Sequence, residues 1–189
     1  MSSEETMLAY FFVLFAVASR MPFMPHPWNF TPVAAALLYF GARGARQQLW
    51  VPFVLLAASD VVLTKFVYGY PVTWDHYVTW AWYAAILWLG TNLRESASLR
   101  DAKDCLRVGG ASLAGSVSFF IVSNFAVWAC WGDLYPKTFS GLMTCYAAAI
   151  PFFRHTLAGD MVFTTLMFGI PAAVALLARP DKAHNTLAA

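Results

Sequence analysis

Met24-Pro25-His26-Pro27-Trp28-Asn29-Phe30-Thr31-Pro32-Val33 sets three prolines, an imidazole, an indole and an amide between two strongly apolar segments. Proline fixes φ and removes a backbone donor, so this stretch cannot continue a regular helix. At the edge of a bilayer, irregular backbone survives only where it is buried in protein or faces water. The stretch therefore reads as a stiff binding surface between two helices, and the apolar runs on either side decide the fold.

Those runs dominate the chain. Of its 189 residues 60% are hydrophobic, 17% aromatic and only 12% charged, which is more apolar and less charged than an ordinary soluble domain. This composition points to an all-α integral membrane protein, a polytopic helical bundle forming one domain over 1–189. Spans of about 20 residues with short loops give about six crossings. The formal net charge is +2, and the twelve Lys and Arg are scattered among loops rather than gathered into a basic stripe, which argues against nucleic acid as a partner. Cys105, Cys130 and Cys145 have no C-x-x-C spacing and read as small apolar filler. The first apolar run ends in Ala16-Val17-Ala18-Ser19, which resembles a signal-peptidase site, but Glu4 and Glu5 stand where a positive region is expected. It is therefore read as a first membrane helix.

Apolar runs between charge clusters predict helices near 5–19, 31–43, 48–68, 76–93, 106–131 and 156–178. The second is short for a crossing, so it is tilted, packed behind the proline stretch, or completed by it. A further piece at 139–153, bounded by Pro136 and Pro151, reads as a re-entrant or interfacial helix, with a seventh span as the alternative. Alternate loops fall into two charge classes. Arg43, Arg46, Arg94, Arg100, Lys103, Arg107, Arg179 and Lys182 share one side, which the positive-inside rule makes cytoplasmic, with both termini. The opposite face collects His26, Trp28, Asn29, Trp74, Asp75, His76, Trp80, Arg154 and His155. An aromatic belt at the headgroup level accounts for part of the Trp enrichment but not for the His, Asn and Asp.

Two carboxylates, Asp60 and Asp160, fall inside predicted spans. Charges in hydrocarbon face a cavity or pair with one another. Pairing of Asp60 with Arg154, or of Asp160 with Lys65, would fix helix register without a ligand; a ligand site uses the same groups. Gly110-x-x-x-Ala114 and Ala111-x-x-x-Gly115 give the fifth helix a small-residue face for close packing, within the bundle or against a membrane partner. There is no G-x-x-x-x-G-K-[ST], H-E-x-x-H or G-x-S-x-G, so ATP-driven work would need another subunit. His26, His76 and His155 come from separate segments without metal-ligand spacing, and no metal held by the protein alone is expected.

Pro25-His26-Pro27-Trp28-Asn29-Phe30-Thr31-Pro32-Val33, the Ala-rich helix after it and Gly41-Ala42 resemble the signature of an uncharacterised family of small bacterial inner-membrane proteins. A second block agrees: Tyr135-Pro136-Lys137-Thr138, Tyr146-Ala147-Ala148-Ala149-Ile150-Pro151-Phe152-Phe153 and Thr156-Leu157-Ala158-Gly159-Asp160. In size, topology and the proline-capped second helix the chain is also similar, more distantly, to the S components of energy-coupling-factor (ECF) vitamin transporters. That resemblance implies a receptor in the bacterial inner membrane. It would capture a vitamin or vitamin-like molecule, cobalamin among the options, from outside and move it inward, with an ATPase and coupling module or as a solitary transporter. One departure stands out: Ala9 is followed at the Ala-x-x-x-Ala spacing by Val13, and Ala16 by Arg20.

On this reading Trp28, Trp74 and Trp80 stack a planar ligand, and His26, Asn29 and Asp75 hydrogen-bond its polar edge, with His76 and Arg154 beside them. Asp60 and Asp160 act as anchors behind them or as gate partners. If the ligand is a corrinoid, which brings its own metal, His76 or Cys130 is the expected cobalt ligand; no other cofactor is implied. The rival readings are a membrane-embedded enzyme using His/Asp acid–base chemistry on a lipid-type substrate, and a structural subunit of a larger complex.

Overall fold

The computed structural model describes residues 3–22, 29–131 and 134–178; His26 and Trp28 lie outside them. Among the described residues there are six α-helices: α1 (Ser3–Ser19), α2 (Val33–Arg43), α3 (Trp50–Val62), α4 (Trp74–Thr91), α5 (Ala102–Cys130) and α6 (Phe139–Leu177). The backbone of α3 runs on into a π-helical turn, Leu63–Val67. Among the described residues three stretches are long and apolar enough to cross a membrane: Arg46–Val67, Ala102–Cys130 and Phe139–Leu177. A multi-pass helical membrane protein fits these dimensions. The other helices are shorter or, like α4 with its Trp74-Asp75-His76-Tyr77 start, more polar.

The short second helix is the centre of the bundle. All ten residues from Val33 to Ala42 are buried, as expected of a core helix only 11 residues long. Lipid tails are as apolar as leucine, so close packing rather than water exclusion holds helices together here. The sequence supplies that packing with Ala34-Ala35-Ala36 and with a glycine crossing. A Cβ on Gly41 would run into the Leu87 carbonyl and lie 2.8 Å from the Cα of Gly90, so α2 and α4 touch backbone to backbone. On the other sides Tyr39 meets Phe12 of α1 and Phe168 of α6 edge to face, at 4.9 and 5.1 Å. Ala9, Val13 and Ala16 of α1 are fully buried in this same core cluster.

Two expectations change. The piece at 139–153 is not a separate re-entrant helix; it is the first part of α6, which runs 39 residues through Pro151 and Pro171. Proline in a membrane helix costs a backbone bond that neighbours can make good, so the helix continues past it. Its start is fixed by Thr138, whose hydroxyl accepts from the Gly141 amide at 3.1 Å. The small-residue face of α5 also divides. Ala111 and Gly115 are buried, the latter 3.4 Å short of Ile86 Cδ1 for an added Cβ, whereas a Cβ on Gly110 would meet nothing.

Charge sorts to the two ends of the bundle. At one end Arg43 pairs with Glu5 at 3.0 Å, Arg94 donates to the Gly44 carbonyl at 2.9 Å, and Arg107 donates to Ser96 at 3.3 Å. Burial and then the neighbouring Arg46 and Arg43 lower the Arg94 pKa. The other end, where α1 and α3 finish and α2 and α4 begin, holds the site described next.

Candidate functional site

Four chain turns converge at that end. Arg20 follows the last residue of α1. Asn29 holds a positive φ of 64° before Pro32 leads into α2; asparagine tolerates this left-handed conformation better than most residues. The π-helical turn after α3 carries Thr64. Thr73 opens α4 in a reciprocal cap with His76, whose Nδ1 accepts from the Thr73 amide at 3.4 Å. Together with the middle of α6 these pieces line an open cavity of about 300 Å³. Its polar lining includes Arg20, Asn29, Thr31, Asp60, Thr64, Asp75, His76, Thr79, Thr156 and Asp160. An adjoining cavity of about 220 Å³ is lined by Phe119, Phe120, Phe152 and Phe153 with Ser123 and Asn124, and shares Asn29, Phe119 and Thr156 with the first.

The charged floor of the larger cavity is the Arg20–Asp60 ion pair, with side chains 19% and 8% exposed. Arg20 also donates to Ser59 Oγ at 2.9 Å. Asp60 accepts from Trp80 Nε1 at 2.9 Å and from the Tyr83 hydroxyl at 3.4 Å. A buried carboxylate is tolerable because a cation and several donors surround it. Neither of the pairs expected from sequence forms. Arg154 is exposed on α6, and Lys65 is exposed with its Nζ 5.8 Å from the Phe66 ring. The partner is Arg20, because the end of α1 comes back beside the end of α3, a contact between residues 40 positions apart.

Of the residues singled out in the sequence, Asn29, Asp60, Asp75, His76 and Asp160 share the larger cavity. Trp80 stands behind Asp60 as a hydrogen-bond donor, with its ring edge-on to Tyr77 at 5.2 Å, rather than lying free for stacking. Trp74 is 73% exposed and lines a separate recess with Cys130. His76 has both ring nitrogens engaged. Nδ1 lies 3.4 Å from the Thr73 amide and 3.5 Å from Asp75 Oδ1, and Nε2 lies 2.9 Å from Thr64 Oγ1. His76 and Cys130, the two candidate cobalt ligands, thus open onto different cavities. Among the described residues no group of three or more His, Cys, Asp or Glu is placed to hold a metal.

Sequence reasoning missed Arg20, Tyr83, Trp82 and the hydroxyl residues Ser112, Ser116 and Thr164. Only Arg20 carried a usable signal, as a cation just past a helix end on the arginine-poor face. Ser116 donates to Asp160 at 2.6 Å and Thr164 donates to Ser112 at 3.0 Å, a pairing visible only once α5 and α6 are side by side.

Neither curated proteins nor solved structures give a match to the chain. Residues 1–182 match DUF6580, described as a family of unknown function, and the chain belongs to that family.

Proposed function

We propose that this protein is a membrane-embedded receptor or uptake protein that takes a small polar molecule into the cavity between Arg20, Asn29, Asp60, Asp75 and His76. The observation that carries the reading is the cavity itself: a charged, hydroxyl-lined recess set among apolar helices. Buried polar surface in a membrane bundle is costly, and by default it marks a substrate or ion path. Asn29, Thr31, Thr79 and Thr156 supply neutral hydrogen-bonding groups, Asp75 and the Arg20–Asp60 pair supply charge, and the adjoining phenylalanine-lined cavity takes an apolar or planar part of the ligand.

The finer parts of the proposal follow from charge and likeness. The arginine-rich end is cytoplasmic by the positive-inside rule, so the cavity opens outward, in a bacterial inner membrane, with about six crossings and both termini inside. The S-component likeness supports capture of a vitamin-like molecule. It does not favour a corrinoid, whose ring system and nucleotide loop exceed a chamber of about 300 Å³. Nor does it favour docking to a coupling subunit through the first helix, because Ala9, Val13 and Ala16 are already covered inside the bundle. A solitary carrier is the simpler form. The enzyme alternative would draw its base from His26, His76 or His155, with Asp60 or Asp160; His26 lies outside the described residues, both ring nitrogens of His76 already have partners, and His155 is exposed on α6 rather than in the cavity lining.

Native mass spectrometry of the full chain purified from its own membranes tests the reading. A co-purifying small molecule that is lost in Asn29→Ala or Asp75→Asn is the expected result. Protein that is empty as isolated, and that takes up nothing from a panel of small polar metabolites, would overturn it.

A further inference from the structure

Among the described residues Asp160, unlike Asp60, has no cation paired with it. It is 3% exposed, at the contact of α5 and α6, and among the described residues its hydrogen-bond partner is the Ser116 hydroxyl. Ser112 and Ser116 are 0% exposed and Thr164 is 3% exposed, so the polar groups form a closed cluster within two apolar helices. An ionised carboxylate with only hydroxyl neighbours is expensive in such a place and gains from neutralisation. Asp160 also lines the cavity, which gives it a route to water. Among the described residues the titratable groups sharing that lining are Arg20, Asp60, Asp75, His76 and Tyr83, and α2 and α5, packed against α6, contribute Val33, Ala34 and Phe119 to it.

The position of Ser116 adds the decisive detail. Its Oγ lies 2.6 Å from Asp160 Oδ2 and 3.2 Å from the Ser112 carbonyl oxygen. A hydroxyl has one hydrogen to give. With Asp160 ionised, Ser116 donates to the carboxylate. With Asp160 protonated, the new carboxyl O–H donates to Ser116 Oγ, and Ser116 turns its hydrogen to the Ser112 carbonyl. Both states keep Ser116 Oγ and Asp160 Oδ2 hydrogen-bonded to each other, so a proton can come and go without breaking that contact.

We infer that Asp160, with Ser116 and Ser112 behind it, is a proton-coupling site of the carrier proposed above, on which reading the coupling rests: a proton adds to the carboxylate from the cavity while the cavity faces outside and is released through it once the carrier has turned it inward. Carboxylates of this kind serve as proton relays in pumps and transporters. Such a site gives a carrier a driving ion without an ATP-binding motif of its own. The inference does not depend on the identity of the ligand, and its test needs none.

The test is labelling of the full chain in lipid nanodiscs with dicyclohexylcarbodiimide, which reacts with protonated carboxyls in apolar surroundings, read by peptide mass spectrometry across a pH series. Asp160 is expected to label at low pH and to lose labelling by about tenfold per pH unit once it ionises. Asp160→Asn should remove the modified peptide. Ser116→Ala, which deletes the donor to the ionised form, should move the fall to higher pH. Labelling that is flat with pH would identify a permanently neutral structural carboxyl and overturn the inference. So would the absence of labelling at every pH. Suppression at constant pH by sodium chloride but not choline chloride would overturn it in favour of a sodium site.

Discussion

Removing Asp60 leaves the Arg20 guanidinium at the floor of the cavity without its counter-charge. Arg20 is 19% exposed and Asp60 8% exposed at the side chain, so water can solvate the stranded cation only in part. Breaking a buried pair from one side costs about 3–5 kcal/mol. Asp60→Ala also deletes acceptors for Trp80 Nε1 and Tyr83 OH. Interhelical hydrogen bonds in membranes average about 0.6 kcal/mol, because the unfolded chain in lipid finds partners too. These two therefore add about 1 kcal/mol, and the charge term decides the total of about 4–6 kcal/mol. Arg20→Met combined with Asp60→Leu removes both charges and replaces them with apolar groups of similar size. The double variant should recover most of that loss, since apolar substitution of a whole buried pair is often neutral or better. The assay is reversible unfolding in mixed micelles followed by tryptophan fluorescence, run as a double-mutant cycle. A loss below about 1 kcal/mol for Asp60→Ala, as for exposed pairs, or a double variant as unstable as the single one, would refute this account.

Glycine positions on different helices should behave oppositely. Gly41→Ala drives a methyl into the α4 backbone and should cost about 1–3 kcal/mol or more, whereas Gly110→Ala enters open space and should be neutral or gain up to about 1 kcal/mol from helix propensity; equal effects in a thermal-unfolding assay would count against the crossing of α2 and α4. The native cysteines report orientation. Cys105 and Cys130 are exposed near opposite ends of α5, and Cys145 is buried, so a membrane-impermeant maleimide applied to intact spheroplasts should label Cys130 alone; labelling of Cys105 alone would invert the topology. Trp80→Phe keeps the ring but deletes the donor to Asp60, with an expected loss of about 0.6–1.5 kcal/mol. Trp74→Ala, at a 73% exposed ring, should stay within about 0.5 kcal/mol of the parent in the same measurement.

Much of the architecture was legible in the sequence because hydropathy and helix breakers are local properties. The apolar runs located α1 to α5 and the second half of α6, Pro32 marked the start of α2, and the sorting of cations among the loops anticipated the arginine-rich end where Arg43, Arg94 and Arg107 gather. Asn29, Asp60, Asp75, His76 and Asp160 were legible as a group because polar residues in or beside apolar helices stand out against their background. What the sequence could not determine was pairing. Whether Asp60 meets Arg20 or Arg154, and whether Asp160 meets Lys65 or no cation, depends on which helix ends lie side by side, which the order of residues along the chain does not state. The same holds for Ser116 and Thr164, ordinary residues until α5 and α6 bring them to Asp160 and Ser112. Pro151 looked like a boundary because its effect was judged from one chain segment; neighbouring helices in a packed membrane bundle can make good the bond it removes, and α6 continues through it. Composition thus set the solvent and the helices, while the contact between Gly41 and Gly90, and the buried ion pair at the other end of the bundle, came only from the way those helices close on one another.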